Sequence, residues 1–291
     1  MDREEIAIRA TYFSIVGNTL LALLKGLAGI FGNSYALIAD AIESTTDIFS
    51  SLLVLLGLKY AKRPADENHP YGHGKIEPLI TFVVVAFLVI SATIIAYESI
   101  LNIQTPHKTP KVWTLYVLGC IIIWKEVSYR FVIRKSRLTN SSSLKADAWH
   151  HRSDSITSLM AFIGISIAIY LGKGYEAADD WAALLASGFI LYNSYLIFRP
   201  ALAEVMDEHL YDELITEIRV KSMLVAGILG TEKCFVRKAG MKYHVDLHAI
   251  VDATITVKQG HDLAHQLKDH LQTEIPSLGH VLIHIEPQEE S

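Results

Sequence analysis

The stretch 34–53, SYALIADAIESTTDIFSSLL, reads as a membrane-spanning helix, yet it carries Asp40, Glu43 and Asp47 within its apolar run. A charged group at the centre of a bilayer costs on the order of 2.5–3.5 kcal/mol on insertion scales, so each carboxylate needs a partner or a task. Glu43 and Asp47 stand four residues apart. At about 3.6 residues per turn that spacing puts both on one helix face. A second apolar segment, KADAWHHRSDSITSL, holds His150 and Asp154 at the same spacing. Two helices that each present two oxygen or nitrogen donors from one face can close a four-coordinate site around a divalent metal. The competing reading is plain hydrogen bonding between helices, and the repetition of the pair in two separate segments weighs against it.

The rest of the chain fits a bundle around that site. Six apolar segments, at about 11–32, 35–60, 79–100, 112–133, 144–170 and 178–198, are long enough to cross about 30 Å of hydrocarbon. The hydrophobic share of 51% is above the range usual for soluble domains. Lys25 lies too deep in the first segment to reach water and is expected to face other helices. The net charge of −5 is unpatterned, which argues against a nucleic-acid partner. The two cysteines, Cys120 and Cys234, suggest neither a disulfide framework nor a thiolate site. The N-terminal MDREEIAIRA is charged and runs straight into the first apolar segment, which is unlike a secretory signal.

Basic residues set topology when they flank membrane spans in short loops. Arg3, Arg9, the second-to-third connection, Arg134, Lys135, Arg137, Lys145 and Arg199 fall on one side, against Lys108, Lys111 and Lys173 on the other. Both termini are therefore expected in the cytoplasm, with the bundle in the cell (inner) membrane. Residues 1–206 form the membrane part in this reading, and 207–291 a soluble domain. In the latter, EHLYDELITEIRVKSML and TVKQGHDLAHQLKDHLQTEI have helical periodicity, whereas TEKCFVRKA, MKYHVDLHAIV and HVLIHIEP read as strands. The expected fold is thus an all-α six-helix transmembrane domain followed by a small cytoplasmic α+β domain of order αββαβ. Along MKYHVDLHAIV, Tyr243, Val245, Leu247 and Ala249 alternate with His244, Asp246 and His248, so the histidine set is expected to face outward.

The six spans, the ALIADA segment with Asp47 after it, NHPYGHGK, ADAWHHRSD and the αββαβ tail together resemble the cation diffusion facilitators, proton-coupled exporters of divalent transition metals. The resemblance covers nearly the whole chain. It implies a homodimer with a tetrahedral transport site between the second and fifth helices, which falls here on Glu43, Asp47, His150 and Asp154. The first of these is usually Asp, Asn or His in the family, and the longer Glu43 bears on which metal is preferred. The resemblance further implies a loop metal site on Asp66, His69 and His73 and metal sites in the cytoplasmic domain, for which His248, His261, His284 and Glu286 are the candidates. Two further family positions fall on Glu232 and Ile285, the second of which cannot ligate. Lys75 and Asp207 match a charge pair near the hinge, Asp40 becomes a packing or entrance residue, and His151 is expected to meet water at the entrance. Without the resemblance, the loop residues could equally be a solvated connector.

One imidazole and three carboxylates suit zinc, and ferrous iron, manganese, cobalt and cadmium accept the same donors. The cation would be both the cargo and a regulatory ligand. Metal binding needs ionised carboxylates and a neutral imidazole, so protons compete for the same atoms, and that competition can couple the two flows. The rival readings are a membrane metalloenzyme or a metal sensor built on the same ligands. An enzyme needs a base beyond the ligands, and neither HExxH nor GxSxG occurs.

Overall fold

A computed structural model describes residues 3–31, 35–104, 112–171 and 177–288, with the side chains of 28–43, 46, 114, 157, 161, 165, 168 and 179 outside that description. Six long helices come first: α1 (Arg3–Phe31), α2 (Tyr35–Ala61), α3 (Ile76–Gln104), α4 (Trp113–Thr139), α5 (Ser142–Leu171) and α6 (Ala178–Val205). Among the described residues, 3–27, 76–104, 142–171 and 180–205 are long and apolar enough to cross a membrane. Helix α4 carries Lys125, Glu126 and Arg130 in its middle. The helices outrun the apolar segments because a helix need not stop where hydrocarbon stops. The basic run after the fourth segment, expected as a connection, is the last two turns of α4. Its stop is Asn140, in the left-handed region at φ 59°, whose amide donates to the Ser136 carbonyl. Helix α5 starts at Ser142, and Ser141 and Ser143 donate from that tight corner to the buried Glu77 carboxylate of α3.

The C-terminal part holds α7 (Asp212–Ser222), β1 (Gly230–Ala239), β2 (Lys242–Val251), α8 (Val257–Glu274) and β3 (Leu278–Pro287). Strands β1 and β2 form an antiparallel hairpin turning at Gly240, and α8 returns the chain so that β3 lies parallel to β2. A capping box starts α8: the Thr256 hydroxyl accepts from the Gln259 amide, and the Gln259 side chain accepts from the Thr256 amide. Val245, Leu247 and Ala249 of β2 pack with Leu267 and Leu271 of α8 and Ile218 of α7, as strand alternation requires.

Two compact units result, one of residues 1–62 with 76–201 and the other of 63–75 with 202–291. The connection after α2 thus belongs with the C-terminal sheet. This corrects the outward placement of His244, which is buried: Tyr71 and His280 lie over it, each ring about 6.1 Å away. Burial, followed by the nearby Arg237 charge, lowers the His244 pKa, which keeps the ring neutral in this setting. Arg237 also lies 4.9 Å over the Tyr71 ring.

Gly74 permits this docking, since a Cβ there would stand 2.6 Å from the Ala239 carbonyl. Gly72 has φ +82° but open space around it. Gly74→Ala is expected to destabilise the docked loop by about 1–3 kcal/mol through overpacking. Gly72→Ala should incur only the left-handed strain of about 1–2 kcal/mol. Trypsin cleavage at Lys75 of the folded protein measures both, and should accelerate more in Gly74→Ala.

Candidate metal centres

The helical unit brings Asp47 of α2 together with His150 and Asp154 of α5, one ligand atom from each lying within 4.8 Å of the others. Asp47 Oδ1 and His150 Nε2 are 2.7 Å apart. Both residues are buried, and Asp154 is half-buried. The three line a cavity of about 170 Å3, which Lys25, Ser44 and Ser153 also face. Glu43 stands one helical turn before Asp47 on α2. Its side chain and that of Asp40 lie outside the described residues. Lys25 points inward as expected from its depth, donating to Ser44 Oγ at 2.8 Å.

Lys125 of α4 was not anticipated. It is 1% exposed, and its Nζ donates to Asp47 Oδ2 at 2.8 Å, Asp154 Oδ2 at 2.7 Å and Asn18 Oδ1 at 3.2 Å. The reasoning applied to Lys25 would have found it, since Lys125 ends the run IIIW inside an apolar segment. His151 corrects the entrance expectation: it is buried, and its Nε2 lies 3.0 Å from Ser14 Oγ. The reason is Asp147, one turn earlier on the same face of α5 and fully buried, which accepts from Ser14 and Ser51 at 2.8 Å each. Helices α1 and α2 cover that face and keep water from it.

The loop residues also converge. His69 Nδ1 is 2.9 Å and His73 Nε2 3.3 Å from the Asp66 carboxylate, and the two rings are 4.3 Å apart. The hydrogen bond with the His69 side chain holds the Asp66 carboxyl below its ordinary pKa, which favours the ionised form a metal needs. In the tail, His248, His284 and Glu286 form a third group, with His248 Nδ1 2.5 Å from Glu286 Oε1. Hydrogen bonds from Glu232 first and His248 second lower the Glu286 pKa. His261 does not join them. It sits on α8 with its ring 4.6 Å from that of His265, because its helix packs on the opposite face of the sheet from the outward set. Burial pushes the Cys234 thiol up to about 11, which disfavours a thiolate ligand. Lys75 Nζ reaches Asp207 Oδ1 at 2.6 Å and the Glu204 carbonyl at 2.7 Å, so the expected charge pair is formed.

Buried donors converging within a helical bundle, joined to an αββαβ domain with two further groups of side chains able to hold a metal, are the arrangement a membrane carrier of metal ions requires. The family described as the cation efflux transmembrane domain matches residues 11–206, and the cation efflux protein cytoplasmic domain matches 210–288. The chain belongs to the cation diffusion facilitator family. It is 29% identical to the manganese efflux system protein MneP of Bacillus subtilis strain 168, over 98% of both chains. It is 30% identical to metal tolerance protein 2 of Oryza sativa subsp. japonica, over 97% of this chain and 78% of that one. The magnetosome protein MamB of Magnetospirillum gryphiswaldense is 27% identical over 98% of this chain and 94% of its own. The protein is a multi-pass membrane transporter for efflux of divalent metal cations and not an enzyme, and its C-terminal domain supports a homodimer.

The loop cluster lies in a different compact unit from the buried cluster, and the two share no ligand. His69→Ala with His73→Ala should remove one bound metal per chain while vesicle uptake continues at a measurable rate. Metal content after gel filtration, read beside uptake, checks this, and abolished uptake by folded protein would put the loop on the path.

Proposed function

We propose that this protein carries a divalent transition metal from the cytoplasm outward in exchange for protons, at a site made by Glu43, Asp47, His150 and Asp154. The supporting observation is the convergence of Asp47, His150 and Asp154 on one buried cavity. Carboxylates removed from water hold a cation strongly only if it compensates them, and a dication brings more compensation than any single side chain can. Protons compete for the same oxygens and for the imidazole, so loading the site with protons on the acidic side releases the metal. The carrier would expose the site to each side in turn by rocking helices, as secondary transporters do. The loop group of Asp66, His69 and His73 and the tail group of His248, His284 and Glu286 would bind regulatory metal. In this reading the homodimer sits in the cell (inner) membrane with both termini in the cytoplasm, and Lys75 with Asp207 braces the hinge.

Zinc suits one nitrogen and several carboxylate oxygens in a tetrahedron. Manganese is the second reading, favoured by similarity over the full chain to a manganese efflux protein and by a donor set dominated by oxygen. Glu43 bears on the choice, because a longer carboxylate can bind through both oxygens and relax a strict tetrahedron.

Uptake by vesicles containing the purified protein, with and without an inward-acid gradient, tests the transport reading. Asp47→Ala, His150→Ala and Asp154→Ala should each abolish uptake, since each strips a ligand and leaves charge uncompensated. Glu43→Asp should keep transport and move preference toward zinc when zinc and manganese compete. An unchanged ratio, or full activity in Glu43→Ala, would remove Glu43 from the ligand set.

A further inference from the structure

Lys125 holds the very oxygens that the cargo would need. Asp47 gives one oxygen to His150 and the other to Lys125, and Asp154 meets the same ammonium at 2.7 Å. An ion pair that served packing alone would need one carboxylate. Here one lysine from α4 bridges two, on α2 and α5, the same two helices that a bound metal would bridge. A metal coordinates carboxylate oxygens at about 2.0–2.2 Å. With the ammonium still in place, two cations would stand within a few ångströms in a medium of low dielectric, where like charges repel strongly. The ammonium has somewhere to go: Asn18 Oδ1, on α1, already accepts from it at 3.2 Å. Asn18 is fully buried and is also tied to Ser51 Oγ at 3.4 Å, so this acceptor is fixed in position.

We propose that Lys125 is the tethered counter-cation of the transport site: its ammonium and the cargo metal hold Asp47 and Asp154 by turns, and Asn18 keeps the ammonium while metal is bound. This rests on the transport-site reading above and adds to it a residue that sets affinity. Lys125 acts through the ligands, as a positioning residue. It weakens metal binding, which favours release. It also compensates whatever carboxylate charge the protons leave in the metal-free carrier as it rearranges.

Loss of a merely structural ion pair can only weaken binding, whereas loss of a competing cation tightens it. The full-length protein in vesicles, probed with zinc and with manganese, separates the two. Lys125→Gln should bind metal about tenfold more tightly, within the usual range for one bound group acting on another. Net uptake should fall while metal-for-metal exchange, which bypasses the empty carrier, falls less. Asn18→Ala keeps the lysine and removes its alternative acceptor, so it should bind metal more weakly, and it decides the matter should Lys125→Gln not fold. Equal or weaker binding in Lys125→Gln, with exchange and net uptake lost in parallel, would overturn the proposal, as would unchanged binding in Asn18→Ala. Asp47→Asn in the same assay tests the underlying site. If it still binds the full complement of metal, the site itself is misplaced, whatever Lys125 does.

Discussion

The compensation of Asp47 is the constraint on which the helical unit depends. A carboxylate in an apolar bundle must be surrounded by donors or opposite charge, and no single helix can supply them from its own face. Helix α5 therefore contributes His150, α4 contributes Lys125, and α1 contributes Asn18 to hold that lysine in turn. These contacts tie four helices together at one depth. Apolar packing alone discriminates poorly between helix pairings in a lipid environment, where side chains of every helix meet an equally apolar solvent. The polar layer gives the bundle a specific arrangement.

Asp147 repeats the solution a turn earlier on α5. It is held by hydroxyl donors, Ser14 from α1 and Ser51 from α2, while His151 leans on Ser14 and stands 3.9 Å from the Asp147 carboxylate. Ser51 also accepts from Asn18, which accepts from Lys125. A hydrogen-bonded run thus extends from His151 through Ser14, Asp147, Ser51, Asn18 and Lys125 to the Asp47 and Asp154 carboxylates. Within such a buried run each hydrogen bond polarises its neighbours.

The apolar segments, the spacing that sets His150 and Asp154 on one face of α5, and the strand order were legible because each rests on periodicity, which a single chain displays directly. What escaped depends on neighbours. The place of Lys125 is decided by α2 and α5, far away in sequence, although its depth in an apolar run marked it as a residue needing a partner. His151 was misread because helix geometry gives its direction but not what covers that face. His244 was misread for the same reason, since strand alternation separates two faces without saying that residues 63–75 fold over one of them. His261 and His248 carry the same chemistry, and only the packing of α8 against the sheet separates them.

The loop after α2 joins a candidate metal-binding group to a helix that bears another. Its Asp66, His69 and His73 fold with the C-terminal sheet, held through Tyr71 over His244 and His280, through the close approach of Gly74 to Ala239, and through Lys75 to Asp207. Yet the same segment is the direct continuation of α2, which carries Asp47. A metal that fixes these three side chains removes conformational freedom from a segment whose N-terminal end continues a ligand-bearing helix, so its binding free energy includes whatever order it imposes there. If loop occupancy biases that helix it does so without sharing a single ligand with it, and by linkage the state of the helix must then alter the affinity of the loop equally.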